Sequence, residues 1–378
     1  MSDPGRFLIA SWDGGGNTPP AYNLGARLIQ LGHRVRLIGW DTMARRAAAA
    51  GVEFATYPSV AHWPDGLSQD EAIDERLKPA LLSRATRDDI LAESKLFAPD
   101  VMVVDCMLGS GFDAARMLGL PIALLVHVLY SRFRYEWGSS VMERDMAPIL
   151  DGADATLALV PPGFDVPCPL PANTAYVGPI TAPTSREHLD PIDSALLAQP
   201  GDPWVLLSLS TTLQRQTEAL PAMLDAVARL PVRVLLTLGG VLPTGAIDAP
   251  ANVTVRGFLP HHLVLPHMAA VICHGGLSTI TGALAAGVRI VCIPQGREQP
   301  LNAERVAASG VGRVVATDAP AAEIAATLME LLEDPAAPRE ARRFADVIAG
   351  LGCGDRATRK VVSLLSRPYR SDSLGKSA

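Results

Sequence analysis

Two segments in the second half of the chain combine residue types suited to binding a phosphorylated sugar. Ala270-Val271-Ile272-Cys273 reads as a buried strand that ends on His274, Gly275 and Gly276 allow a sharp turn, and a helix opens at Ser278 and Thr279. The free N–H groups and positive dipole end of such a helix hold a phosphate, with the imidazole and two hydroxyls as added donors. The same residues also fit an ordinary strand-to-helix turn with a serine cap and a structural histidine. A second strand-like run, Arg289 to Ile293, is followed by Glu298 and Gln299. A carboxylate accepts hydrogen bonds and an amide both donates and accepts, a pairing that matches sugar hydroxyls. Upstream, Gly257-Phe258-Leu259-Pro260-His261 offers backbone groups and apolar surface to a planar base.

The first half carries its own reactive types. The loop Asp13-Gly14-Gly15-Gly16-Asn17-Thr18-Pro19-Pro20 lies between a strand and a helix, but Pro19 replaces the third glycine of a dinucleotide fingerprint. Asp105 ends one strand and His127 follows the next, each fit either for proton transfer or for a structural role. Tyr130, Phe133, Tyr135 and Trp137, interleaved with Arg132 and Arg134, gather apolar surface that Trp63 can join. The histidines at 261, 262 and 267 have no carboxylate at ligand spacing, so no metal site is expected. The five cysteines include no CxxC pair and read as reduced thiols rather than a disulfide framework.

The elements that must position these groups alternate between short β-rich runs and helix-patterned stretches, the signature of parallel sheets with helical crossovers. Strands are expected at 7–10, 35–38, 101–104, 122–126 and 156–159, and again at 204–209, 232–236, 253–255, 270–273 and 289–293. Residues 161–203 carry ten prolines, too many for a helix or a central strand. The expected class is therefore α/β, with two Rossmann-like doubly wound domains facing a cleft. Residues 1–180 form the first, 181–203 a linker, 204–358 the second, and 359–378 a C-terminal helix and tail. The 378 residues suffice for two cores, and a net charge of -6 argues against a general affinity for nucleic acid. No apolar run approaches a membrane span and the N-terminus lacks the pattern of a signal peptide, so a cytoplasmic location is expected.

The stretch from Gly257 to about Gly312 resembles the nucleotide-sugar-binding signature of GT-B glycosyltransferases of the UDP-glycosyltransferase type, especially the bacterial enzymes that decorate natural products. The likeness extends over nearly the whole chain through the two-domain layout, Val177-Gly178-Pro179 and Ser208-Leu209-Ser210-Thr211. The resemblance implies that His274, Gly275, Gly276, Ser278 and Thr279 contact the donor diphosphate, with Ser210 and Thr211 across from them. It assigns Glu298 and Gln299 to the donor sugar, Leu259 and its neighbours to the base, and Trp63, Tyr130, Phe133 and Trp137 to the acceptor pocket. UDP-using members place a glutamate for the ribose hydroxyls eight residues after the signature histidine, where this chain has Gly282. A donor with a 2′-deoxyribose loses one of those hydroxyls, which favours a dTDP-deoxysugar over a UDP-sugar.

A histidine in the N-terminal loop is the family's general base, and the matching residue here is Asn17, whose amide accepts no proton at neutral pH. The family's orienting aspartate matches Asp105. Asp105 acting directly or through water, His127 acting from another side, or an acidic acceptor needing little help all meet the requirement, with Asp105 preferred. The resemblance thus implies an inverting, metal-independent hexosyltransferase without a cofactor, taking a nucleotide-sugar donor and a small, largely apolar natural-product acceptor. A nucleotide-sugar epimerase of the same build, or a non-catalytic auxiliary protein derived from the family, are the alternatives. The oligomeric state stays open, with a homodimer as the assembly to test.

Overall fold

The computed structural model describes residues 4–60, 78–183, 188–211, 216–240 and 242–367. The chain divides into two compact units, one of Met1–Leu67, Glu71–Thr184 and Leu351–Ala378, the other of Ser68–Asp70 and Ser185–Gly350.

The first unit is built on a seven-stranded sheet. Its strands are β1 (Arg6–Ala10), β2 (Arg34–Gly39), β3 (Glu53–Thr56), β4 (Val101–Asp105), β5 (Ile122–Val126), β6 (Ala155–Ala158) and β7 (Thr174–Tyr176). They lie in the order β3-β2-β1-β4-β5-β6-β7 and every pairing is parallel. β4 and β5 are uninterrupted buried runs, as strands covered on both faces must be. Alternation sends Leu8, Met102, Val104 and Leu124 to one apolar cluster and Phe7, Ile9, Val101, Val103 and Leu125 to another. The order reverses between β1 and β4, so the loops at their carboxyl ends flank the position where open α/β sheets bind ligands.

The second unit repeats the plan with β8 (Trp204–Ser208), β9 (Arg233–Thr237), β10 (Val253–Arg256), β11 (Met268–Cys273), β12 (Arg289–Cys292) and β13 (Gly312–Val314). Their order is β10-β9-β8-β11-β12-β13, again all parallel, with the reversal between β8 and β11. The helix Leu277–Ala286 follows β11 and stops at Gly287, whose φ of 70° favours glycine.

Three short strands escape the sequence pattern: β3, β7 and β13, each at the edge of its sheet. The proline-rich stretch also holds more order than a linker. Helix Pro191–Leu197 starts with proline in its first turn, and Asp190 caps it by accepting a hydrogen bond from the Ile192 N–H at 2.8 Å. The chain returns to the first unit at Leu351, earlier than the expected boundary at 359. Helix Asp355–Val362 buries Ala357 and Val361 in the apolar cluster of Phe7 and Ile9. Arg27 fastens the return, donating to the carbonyls of Thr181 at 2.7 Å and Cys353 at 2.8 Å and pairing with Asp355 at 2.6 Å. Among the described residues no helix is long and apolar enough to cross a membrane.

Candidate active site

In the first unit the loop after β1 and the ends of β4 and β5 converge on one carboxylate. Asp105 is 3% exposed, and its Oδ1 accepts from the Trp12 indole N–H at 3.0 Å and the Met107 backbone N–H at 2.9 Å. Its Oδ2 accepts from Asn17 Nδ2 at 3.0 Å and lies 3.2 Å from His127 Nδ1. The arrangement follows from register. Asp105 pairs with Leu125 across the parallel strands, so His127 leaves β5 beside it. Asn17 is equally constrained, since Nδ2 also donates to the Trp12 carbonyl at 2.9 Å and Oδ1 accepts from the Gly14 N–H at 3.0 Å. A Cβ on Gly14 would lie 2.5 Å from the Trp12 ring, which explains a residue without a side chain there.

Burial opposes charge on both members of the Asp105 and His127 pair, yet their attraction outweighs it. The imidazole is held well above the ordinary histidine range and the carboxyl below the usual carboxylate range, the latter helped by Asn17 and the Met107 N–H. Burial pushes the Cys106 thiol up although its Sγ lies 3.6 Å from His127 Nδ1, so it is a neutral neighbour rather than a thiolate nucleophile. Asp105, Cys106 and His127 each offer an atom within 4.8 Å of the others, a spacing a cation accepts. The carboxylate, however, already accepts three N–H hydrogen bonds, with the His127 ring nitrogen close by. That environment suits an anion held by hydrogen bonds.

In the second unit β11 delivers His274, which is buried with Nδ1 unpartnered among the described residues. Burial lowers its pKa to about 4, with Ser208, His261 and Arg297 making smaller contributions, so the ring is neutral near pH 7. Gly275 takes a φ of 87°, and its carbonyl accepts from Asn302 Nδ2 at 3.0 Å. Gly276 begins the helix with no side-chain cap, leaving first-turn N–H groups to an outside acceptor. A Cβ on Gly276 would come 2.4 Å from His274 Nε2, so the glycine is what lets the imidazole lie across the turn. Ser278 is exposed and Thr279 half-buried beside it. Ser210 and Thr211 follow β8 on the other side of the strand reversal, the first buried and the second exposed.

Several expected residues are placed differently. Tyr130 and Phe133 are fully buried members of the core that holds Leu124 and Met142. Trp137 packs edge-on against Phe133 at 5.3 Å, and Tyr135 is the half-exposed ring of the group. Trp63 lies outside the described residues. Leu259 is buried while its neighbour Phe258 is 57% exposed, so the apolar surface expected there belongs to Phe258. Gln299 is buried, and its Oε1 accepts from the Gln295 N–H at 2.8 Å, which commits its carbonyl end to the loop. Glu298 is half-buried. Sequence reasoning treated Asp105 and His127 as competitors where the structure joins them, and it passed over Trp12 and Asn302. The signal for Trp12 was its place between β1 and the glycine loop.

Residues 221–364 match the family of the erythromycin biosynthesis protein CIII-like, C-terminal domain. The chain is 25% identical to a 4′-demethylrebeccamycin synthase of Lentzea aerocolonigenes over 81% of its own length and 86% of the relative's. It is 27% identical to a PGL/p-HBAD biosynthesis glycosyltransferase of Mycobacterium tuberculosis, over 70% and 71%. The fold matches CalG4, the calicheamicin glycosyltransferase, with a TM-score of 0.76 at 24% identity, covering 97% of this chain and 99% of that one. It also matches the glycosyltransferase VinC in complex with dTDP, with a TM-score of 0.72 at 20% identity, covering 96% and 100%. The chain has the GT-B fold, and it is similar over most of its length to the glycosyltransferases just named.

Proposed function

We propose that this relative of the natural-product glycosyltransferases transfers a sugar, with inversion, from a nucleoside diphosphate to a small, largely apolar acceptor. One observation carries the donor half: β11 is followed by a buried, neutral His274 whose Nδ1 lacks a partner among the described residues, directly before an uncapped helix N-terminus. Together these supply hydrogen-bond donors to the diphosphate as negative charge builds on it and the sugar bond breaks. Gly275 and Gly276 keep the backbone bare, and Glu298 is the carboxylate offered to the sugar hydroxyls. The reading calls for no metal and no cofactor, because N–H groups meet the leaving charge.

A dTDP-sugar is the favoured donor. Gly282 leaves no carboxylate where a ribose 2′-hydroxyl would need one, and a neighbour of the same fold is in complex with dTDP. A Cβ at 282 would meet only Leu265 at 3.4 Å, so Gly282→Glu can be built and should move the preference toward UDP. The direct test is thermal unfolding with dTDP, UDP or NAD, for the wild type and His274→Ala. Saturation at about 100 Kd stabilises by about 2.7 kcal/mol. A dTDP shift that His274→Ala removes supports the reading, a larger UDP shift defeats the Gly282 argument, and a shift with NAD alone replaces transfer by hydride chemistry.

A further inference from the structure

We propose that His127 is the group that takes the acceptor's proton, with Asp105 as its positioning residue and Asn17 and Trp12 holding Asp105 in place. This rests on the transferase reading and goes beyond it, because the residue in the family's usual base position here is an amide. Asn17 Nδ2 is occupied by Asp105 and the Trp12 carbonyl, and Oδ1 by the Gly14 N–H. It therefore serves as a bracket between the loop after β1 and the end of β4. Asp105 itself is 3% exposed with both oxygens engaged, so it has no route to a substrate hydroxyl. His127 is 14% exposed, and its two polar contacts, Asp105 Oδ2 at 3.2 Å and Cys106 Sγ at 3.6 Å, both fall on Nδ1. Nε2 has no partner among the described residues. The Trp12 ring packs edge-on against the imidazole at 6.4 Å and limits its tilt.

A carboxylate accepting from Nδ1–H fixes the tautomer with Nε2 as the free base and stabilises the imidazolium formed when Nε2 takes a proton. In the step, an acceptor oxygen forms a bond to the anomeric carbon while its proton passes to Nε2. The bond from that carbon to the diphosphate breaks, and its electron pair leaves with the diphosphate. The proton returns to solvent from Nε2. Among the described residues three polar groups face the ring: Asp105 and Cys106 at the end of β4, and the Trp12 indole after β1. Asp105 is the charged one, so the neutral form of His127 is reached only on the alkaline side of the ordinary histidine range.

The experiment compares wild type, His127→Gln and Asp105→Asn, with dTDP-glucose and UDP-glucose as donors and two acceptors, phenol and 4-nitrophenol. The assay is run on the alkaline side, where His127 reaches its neutral form; there phenol still keeps its proton and needs a base, whereas 4-nitrophenol is largely ionised. His127→Gln should lose about 100-fold or more in kcat/KM with phenol and far less with 4-nitrophenol, while dTDP still raises the unfolding temperature. Equal losses with both phenols, or none with either, overturn the assignment. A wild type unshifted by either nucleotide overturns the transferase reading itself, a separate outcome. Histidine NMR needs no acceptor and guards against misfolded variants. One imidazole should titrate well above the others, vanish in His127→Gln and titrate lower in Asp105→Asn. A His127 signal unmoved by Asp105→Asn refutes the pairing.

Discussion

Replacing Asn17 by alanine tests whether this amide holds the carboxylate of Asp105. The side chain is 4% exposed and makes three hydrogen bonds, to Asp105 Oδ2 at 3.0 Å, the Trp12 carbonyl at 2.9 Å and the Gly14 N–H at 3.0 Å. A hydrogen bond to a charged group contributes about 1.5–3 kcal/mol and a neutral one about 0.5–1.5, so Asn17→Ala should lose about 3 kcal/mol. In a domain of this size each kcal/mol moves the midpoint by about 2–4 °C, giving a fall of about 6–12 °C. The assay is urea and thermal unfolding followed by near-ultraviolet circular dichroism, which senses Trp12 directly. Asn17→Asp keeps the shape but sets a second carboxylate against the first. Its folded pKa would rise above the unfolded value of about 3.9, so its deficit against wild type should be small near pH 4 and grow as pH rises. A loss under about 1 kcal/mol for Asn17→Ala, together with a pH-independent deficit for Asn17→Asp, would refute the bracket.

Three further outcomes follow from the same geometry. His127, raised, gives stability that is full below about pH 6.5 and lost as pH climbs through its folded value, while Asp105, lowered, gives stability present above about pH 3.9 and lost as pH falls through its own. The pair should therefore stabilise most between about pH 4 and 6.5, and Asp105→Asn should flatten the dependence of the urea midpoint on pH. Gly276→Ala must displace the His274 ring, whose Nε2 lies 2.4 Å from the added carbon, and should abolish the nucleotide-dependent shift in thermal unfolding. Gly312→Ala would set a methyl 1.9 Å from the Ile290 carbonyl of the neighbouring strand, where no flexible side chain can yield. It should cost about 3 kcal/mol or more in chemical unfolding.

The central strands were legible because each is an apolar run with a turn signal at its end, as in Val101–Asp105 and Ile122–Val126. Edge strands offered less. β3 is Glu-Phe-Ala-Thr and β13 is Gly-Arg-Val, and each is paired on one side only, so backbone register rather than hydrophobic pattern defines them. The phosphate-type turn at 274–279 could be read locally because its parts are contiguous. Asp105 and His127 are far apart in sequence, yet the information was present: an acid ending one strand and a histidine just past the next are neighbours once the strands are parallel and adjacent. Within the aromatic cluster the interleaved arginines turn to carboxylates. Arg134 turns to Asp151 and Arg132 to Glu136, leaving Tyr130 and Phe133 free to go inward.

The second unit is an insertion within the first, and this sets an order of assembly. A growing chain completes β1 to β7 long before Leu351 and the helix Asp355–Val362 emerge, whereas Ser185–Gly350 is nearly contiguous and can close its sheet as it appears. Until the return arrives, Arg27 lacks Cys353 and Asp355, and Ala357 and Val361 are missing from the first core. The half that carries Asp105 and His127 thus matures last, although it is synthesised first. A chain stopped at residue 350 has every strand of both sheets but not the clasp that finishes the earlier one.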